Sequence, residues 1–120
     1  MVVADGCILT DSSLKHSLFG IRSYIGEGSD LEDVIVMGAD YYETPEQIAS
    51  NLARGIPNLG VGRNCLIRRA IIDKNTRIGD GSRLSAVGNP DGVYADGAVV
   101  IRDGVLVVPK GAVIAPGTVV

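Results

Sequence analysis

Few residues in this 120-residue chain could do bond-making chemistry. The one histidine, His16, sits in Leu14-Lys15-His16-Ser17, and an imidazole titrating near neutrality is the commonest general base. A single histidine at a bend can equally be a corner residue that only hydrogen-bonds, so both readings stand. Asp73 is a second candidate, a carboxylate with no obvious partner acid beside it. One histidine cannot supply a three-histidine zinc site. The chain has neither a Walker-type phosphate loop nor a Gly-x-Ser-x-Gly elbow. The sequence therefore assigns no catalytic residue and no metal ligands.

Charge is the stronger signal. From Glu27 to Glu46 there are seven acidic residues and no basic one. From Arg63 to Arg83 there are six basic residues (Arg63, Arg68, Arg69, Lys74, Arg77, Arg83) against two acids, Asp73 and Asp80. Such runs are either solvated outer faces or, for the basic one, an anion site. Clustered Arg and Lys raise the local concentration of phosphate or carboxylate, and arginine can grip both bidentately.

The elements that must position these charges follow a short beat. An aliphatic residue, often followed by Gly or Ala, returns every six residues: Phe19-Gly20, Ile25-Gly26, Leu31, Met37-Gly38, then Ile72, Ile78-Gly79, Leu84, and again Val108, Ile114-Ala115, Val120. A small residue follows four places later at Ser23, Ser29, Cys65, Thr76, Ser82, Ala112 and Thr118. A unit this short cannot bury its own apolar side, so each copy must lean on the next. The pattern predicts an all-β, left-handed parallel β-helix whose triangular coils take three hexads each and whose small residues fill the corners.

Two interruptions shape the expectation further. Thr44 can cap a helix, Pro45 fits its first position, Gln47 completes a capping box and Gly55 can end it. A short helix over about 45–54 follows, extruded from one corner. A second excursion runs through Gly88-Asn89-Pro90-Asp91-Gly92, with closing strands near Val99–Ile101, Val105–Val108 and Val113–Ile114. Between Leu9 and Phe19 the spacing reads as six plus four, a bulged corner around Lys15 to Leu18. What remains amounts to about four to five coils in one domain, 1–120. The first hexad begins at Val3 with no capping element, so the chain reads as a piece of something larger.

Composition agrees. Hydrophobic residues make up 46% but aromatics only 4%, so the core must be aliphatic. A net charge of −3 argues against a general nucleic-acid or anionic-membrane binder. No apolar run approaches the roughly 20 residues that span a bilayer, and no signal-peptide pattern opens the chain. Cys7 and Cys65 both fall at the small corner position, which favours reduced, structural thiols and a cytosol-like compartment. Hexapeptide-repeat helices are often acyltransferases with a histidine base, which keeps His16 as an alternative.

Specific strings carry a closer likeness. His16-Ser17-Leu18-Phe19-Gly20-Ile21-Arg22-Ser23, Met37-Gly38-Ala39-Asp40-Tyr41-Tyr42-Glu43-Thr44, Arg69-Ala70-Ile71-Ile72-Asp73-Lys74-Asn75 and Arg77-Ile78-Gly79 resemble the C-terminal β-helix domain of ADP-glucose pyrophosphorylase (glucose-1-phosphate adenylyltransferase). The likeness covers nearly the whole chain. It implies that catalysis, with ATP and Mg²⁺, belongs to an N-terminal nucleotidyltransferase domain not contained in these 120 residues. It also implies a role in tetramer assembly and in an allosteric site for sugar phosphates or phosphoglycerate. On that resemblance Lys74 and Arg102 are the effector cations, Arg102 standing where the family has lysine, and Asp73 lines the same pocket. Arg22, Arg69, Arg77 and His16 are secondary anion contacts. The implied compartment is bacterial cytoplasm, or plastid stroma for a plant or alga.

Overall fold

Corners decide this architecture, and the residues at them accept a left-handed backbone. Arg22, Asn75 and Gly111 turn one edge with φ of 57°, 60° and 73°, while His16, Asp33 and Arg69 turn another with φ of 45°, 57° and 50°. The computed structural model describes residues 1–120. Between the corners short strands stack in parallel, coil upon coil, into three faces.

On face A the inward residues Val3, Phe19, Val36, Ile72 and Val108 lie in register. Face B stacks Leu9, Ile25, Val61, Ile78 and Ile114. Face C stacks Leu14, Leu31, Ile67 and Leu84, with Val119 bridged to Arg83 at its end. From Phe19 to Ile114 these columns form most of the buried core, while Val119 is exposed. The Gly that follows so many of them has a steric reason. A Cβ on Gly26 would lie 2.6 Å from the carbonyl carbon of Gly62 on the next coil, so any side chain there would push the coils apart. The small position also has one: the hydroxyls of Ser23, Ser82 and Thr118 donate to the carbonyls of Gly20, Gly79 and Ala115, which closes the turn.

The register differs from the sequence reading in two places. Val36, not Met37, occupies the core column; Met37 is 42% exposed. Leu9 to Phe19 divides as five plus five through Leu14, which pairs with Leu31, rather than six plus four. At the edge between faces C and A the step is five residues on every coil, from Leu14 to Phe19, Leu31 to Val36 and Ile67 to Ile72, and Ser17, Val34 and Ala70 are buried inside it.

Helix α1 spans Pro45–Arg54. Thr44 Oγ1 accepts from the Gln47 N–H, the Gln47 side chain accepts from the Thr44 N–H, and Gly55 closes the helix in the left-handed region. The second excursion returns as a meander. Gly92–Tyr94 pairs antiparallel with Val99–Arg102, which pairs antiparallel with Val105–Val108. Asp103 and Gly104 supply the positive-φ turn that Asp-Gly favours. Arg102 therefore ends a hairpin strand, opposite Val105 and off the coil that carries Lys74.

Candidate anion site at one edge of the prism

The acidic and basic runs turn out to be neighbours. Arg68 reaches Asp30 at 3.1 Å and Glu32 at 3.8 Å on the adjoining coil. Lys74 Nζ lies 3.2 Å from Asp40 Oδ1, and Arg77 Nη1 donates to Glu43 Oε2 at 2.8 Å. Each basic residue here is matched by an acid from the run before it, so much of both runs is spent holding coil to coil.

The Arg77–Glu43 pair is structural. Glu43 Oε1 accepts from the Leu59 N–H at 2.6 Å, and Oε2 also accepts from Asn51 Nδ2 at 2.7 Å. Burial alone would raise the Glu43 pKa, but hydrogen bonds from Leu59, Asn51 and Arg77 outweigh it and hold the carboxyl below its usual range. One carboxylate thus ties the start of the excursion, α1 and the return strand to face B. The loop so tied closes over a cavity of about 320 Å³ lined by Tyr24, Tyr41, Tyr42, Ile48 and Arg22 among others, with Tyr42 Oη donating to the Gly6 carbonyl at 2.9 Å.

Two lysines stack at the edge between faces A and B. Lys74 and Lys110 occupy the same corner position on successive coils, because the Gly111 N–H donates to the Lys74 carbonyl. Stacked strands put their backbones about 4.8 Å apart. Asp73 Oδ1 accepts from the Lys74 N–H at 2.7 Å and so fixes the corner from which the lysine projects. Asp40 faces both lysines: hydrogen bonds from Asn75 and then Lys74 lower its pKa, and the charge of Lys110 adds to the effect. Two ammonium groups thus stand beside the Asp40 carboxylate, with Asp73 at the foot of the same corner. Arg22 lies on the same edge, with Nε donating to the Ala39 carbonyl at 2.9 Å.

The other candidates lie elsewhere. His16 and Arg69 occupy equivalent corners of the edge between faces C and A, where His16 Nδ1 stands 3.6 Å from Asp33 Oδ1 and its side chain is 86% exposed. Arg102 pairs with Val105. Three residues of strand, about 10 Å, separate that rung from Val108, whose neighbour Ile72 only then leads to Asp73 and Lys74. The structure brings Asp73, Lys74 and Arg22 to one edge, and sets Arg102, Arg69 and His16 toward the other. Lys110 is the residue that sequence reasoning missed. The signal was present: Lys110 follows Val108 at the same offset as Lys74 follows Ile72, so the six-residue register alone stacks the two.

The fold is a parallel β-helix of six-residue repeats, elaborated by a capped helix and a hairpin, with two lysines stacked at one corner. The sequence matches the family described as GLGC left-handed parallel beta-helix domain over residues 1–119, which also gives the hand of the coil. It is 40% identical over 122 residues to a glucose-1-phosphate adenylyltransferase small subunit of Zea mays, covering 99% of this chain and 97% of that one. It is 39% identical over 120 residues to the chloroplastic/amyloplastic small subunit of Triticum aestivum, covering 99% of this chain and 25% of that one. The chain belongs to the GLGC left-handed β-helix domain family of glucose-1-phosphate adenylyltransferase. It spans about a quarter of the length of the Triticum aestivum relative.

Proposed function

We propose that the chain is a regulatory and oligomerisation domain of a glucose-1-phosphate adenylyltransferase. The enzyme would make ADP-glucose and diphosphate from ATP and glucose 1-phosphate, for glycogen or starch synthesis. The three residue columns are read as five coils, enough length to join catalytic portions into a tetramer. The edge carrying Lys74 and Lys110 contributes part of a site for a sugar-phosphate or phosphoglycerate effector. The supporting observation is the register that stacks these two lysines over Asp73 and Asp40. A phosphate bound there would exchange the Asp40 pair for charge-assisted bonds to both ammonium groups. Arg22, on the same edge, is a third contact. Arg102 keeps a place only if another part of the enzyme bends the site around face A, so Lys110 is the better companion for Lys74.

ATP and Mg²⁺ belong to the larger enzyme. The residues here do not fit them: the one α-helix has its N-terminus capped by Thr44, and the positive-φ glycines serve separate corners rather than a single phosphate loop. No catalytic step is drawn through this chain. Acyl transfer by His16 has no specific observation in its favour, because the ring is exposed and lies in none of the described clefts. No helix is long and apolar enough to cross a membrane, and the compartment would be bacterial cytoplasm or plastid stroma.

The test is activation of the longer enzyme carrying this domain in place of its own matched quarter. Activation by 3-phosphoglycerate or fructose 1,6-bisphosphate should fall in Lys74→Ala and Lys110→Ala with activity in the absence of effector retained. Unchanged activation in both variants would remove the assignment.

A further inference from the structure

Where the excursion leaves the prism, one corner is missing. On the coils to either side, Arg22 and Asn75 turn the edge between faces A and B in the left-handed region, and each is followed by a small hydroxyl residue, Ser23 or Thr76. Between Val36 and Val61 the chain instead departs through Gly38 and α1 and re-enters at Gly60, opposite Arg77. The gap is the cavity of about 320 Å³ over which the excursion closes, and it reaches the core. Val36, Val61 and Ile72 line it and are 4%, 1% and 1% exposed. Tyr24, Tyr41 and Tyr42 also line it. An apolar and aromatic lining with a few polar groups is the usual composition of a small-molecule site, and this volume lies at the lower end of the range of such sites.

Two polar groups of the cavity have no protein partner to satisfy them. The hydroxyls of Ser23, Ser82 and Thr118 donate to the carbonyl three residues back. Thr76 holds the same place in its hexad, lines the cavity and is 4% exposed, yet its hydroxyl makes no hydrogen bond and is not sealed in the core. The second group is Arg22. Its Nε donates to the Ala39 carbonyl at 2.9 Å, its two amino groups have no partner, and no ion pair includes it. Glu43, the acid in the lining, is already taken by Leu59, Asn51 and Arg77. The cavity therefore carries one uncompensated cation and one free hydroxyl over an aliphatic floor.

We propose that this cavity binds a one-ring aromatic monocarboxylate. Its ring lies over Val36, Val61 and Ile72 among the tyrosines, its carboxylate takes the two amino groups of Arg22, and a polar substituent opposite the carboxylate meets the Thr76 hydroxyl. The rungs of Ser23 and Thr76 are two strands apart through Leu59, about 10 Å, a span that a para-substituted ring bridges with a hydrogen bond at each end. A sugar would set several hydroxyls against aliphatic carbon without partners, and a phosphate dianion would meet a single cation. The site is separate from the proposed effector edge, since of that edge's charged side chains only Arg22 lines the cavity.

Calorimetry and tyrosine fluorescence on the 120-residue chain test it, with 4-hydroxybenzoate and 4-hydroxyphenylacetate as probes. At least one should bind saturably at one per chain. Thr76→Val keeps the shape and removes the hydroxyl, and should weaken that binding by about three- to tenfold. Arg22→Asn, which suits a left-handed corner, should weaken it by about tenfold or more. Lys74→Ala should leave it unchanged. Because the Thr76 hydroxyl has no protein partner, Thr76→Val should melt no lower than the parent, while Ser82→Ala should melt lower; a Thr76→Val chain as destabilised as Ser82→Ala would overturn the geometry. No saturable binding of either probe overturns the proposal, as does binding that Thr76→Val and Arg22→Asn both leave intact. Tighter binding of glucose 1-phosphate than of either probe, lost in Thr76→Val, would put a sugar in the cavity and overturn the ligand class. Probe binding that fails while activation still depends on Lys74 would sink this inference alone; probe binding as described with activation indifferent to Lys74 would sink only the effector reading.

Discussion

Replacing Glu43 with alanine should loosen the whole excursion from the prism. Its carboxylate accepts from the Leu59 N–H, Asn51 and Arg77 at 2.6, 2.7 and 2.8 Å. Removing it leaves an Arg77 side chain only 18% exposed, with the Pro57 carbonyl at 3.0 Å as its remaining partner. Breaking a buried pair from one side costs about 3–5 kcal/mol. The surviving Pro57 bond and residual water access place Glu43→Ala near about 3 kcal/mol, a large share of the roughly 5–15 kcal/mol that holds a domain. At about 4 °C per kcal/mol for a chain this size, the melting temperature read by circular dichroism should fall by about 12 °C. Amides of α1 should exchange faster even where the core columns stay protected. Glu43→Gln, which keeps the shape and one acceptor, should lose about half as much. A cycle with Arg77→Met should return a coupling above about 1 kcal/mol. A Glu43→Ala melting curve within about 3 °C of the parent, with no coupling to Arg77, would refute the tie.

Further outcomes follow from the same geometry. The Glu43 carboxyl is depressed in the folded state, so its stabilisation is present above the ordinary glutamate range and lost as pH falls through the folded value; acid melting should therefore steepen in the parent and flatten in Glu43→Gln. Gly26→Ala drives a Cβ to 2.6 Å from Gly62 backbone, and should destabilise by about 2 kcal/mol or more, measured by urea unfolding. Asp40→Asn removes the carboxylate that both lysines share, and should tighten phosphate-ester binding by about two- to fivefold, the worth of an exposed pair, read by calorimetry. Burial raises the Cys65 pKa, so thiol titration of the native chain should find Cys7 reacting first and Cys65 only on unfolding.

The repeat and the capped helix were legible because each rests on local chemistry. Aliphatic residues at six-residue spacing, and Thr44, Pro45, Gln47 and Gly55 around α1, need no distant partner to be read. Val36 and Met37 are both apolar, so side chains alone do not choose between a step of five and a step of six from Leu31, and the pairing of Val36 with Phe19 and Ile72 decides it. The Asp103-Gly104 turn has a local signature, an Asp-Gly pair between two valine-rich runs. At the site, resemblance pointed to Lys74 and Asp73, while Lys110 could be found only by carrying the register through the second excursion. The pairing of the acidic run with the basic one was invisible to sequence because it depends on which coil lies on which.

That Lys74 and Lys110 form one anion site is tested most directly by calorimetric titration of 3-phosphoglycerate into the longer enzyme carrying this domain. Each lysine-to-alanine change should weaken binding by about tenfold, or about 1.4 kcal/mol for one charge-assisted contact. The double change should fall short of the product of the two, since both grip one phosphate, and Arg102→Ala should leave the affinity where it was. Full affinity in the Lys74→Ala, Lys110→Ala double variant, or a loss confined to Arg102→Ala, would contradict it.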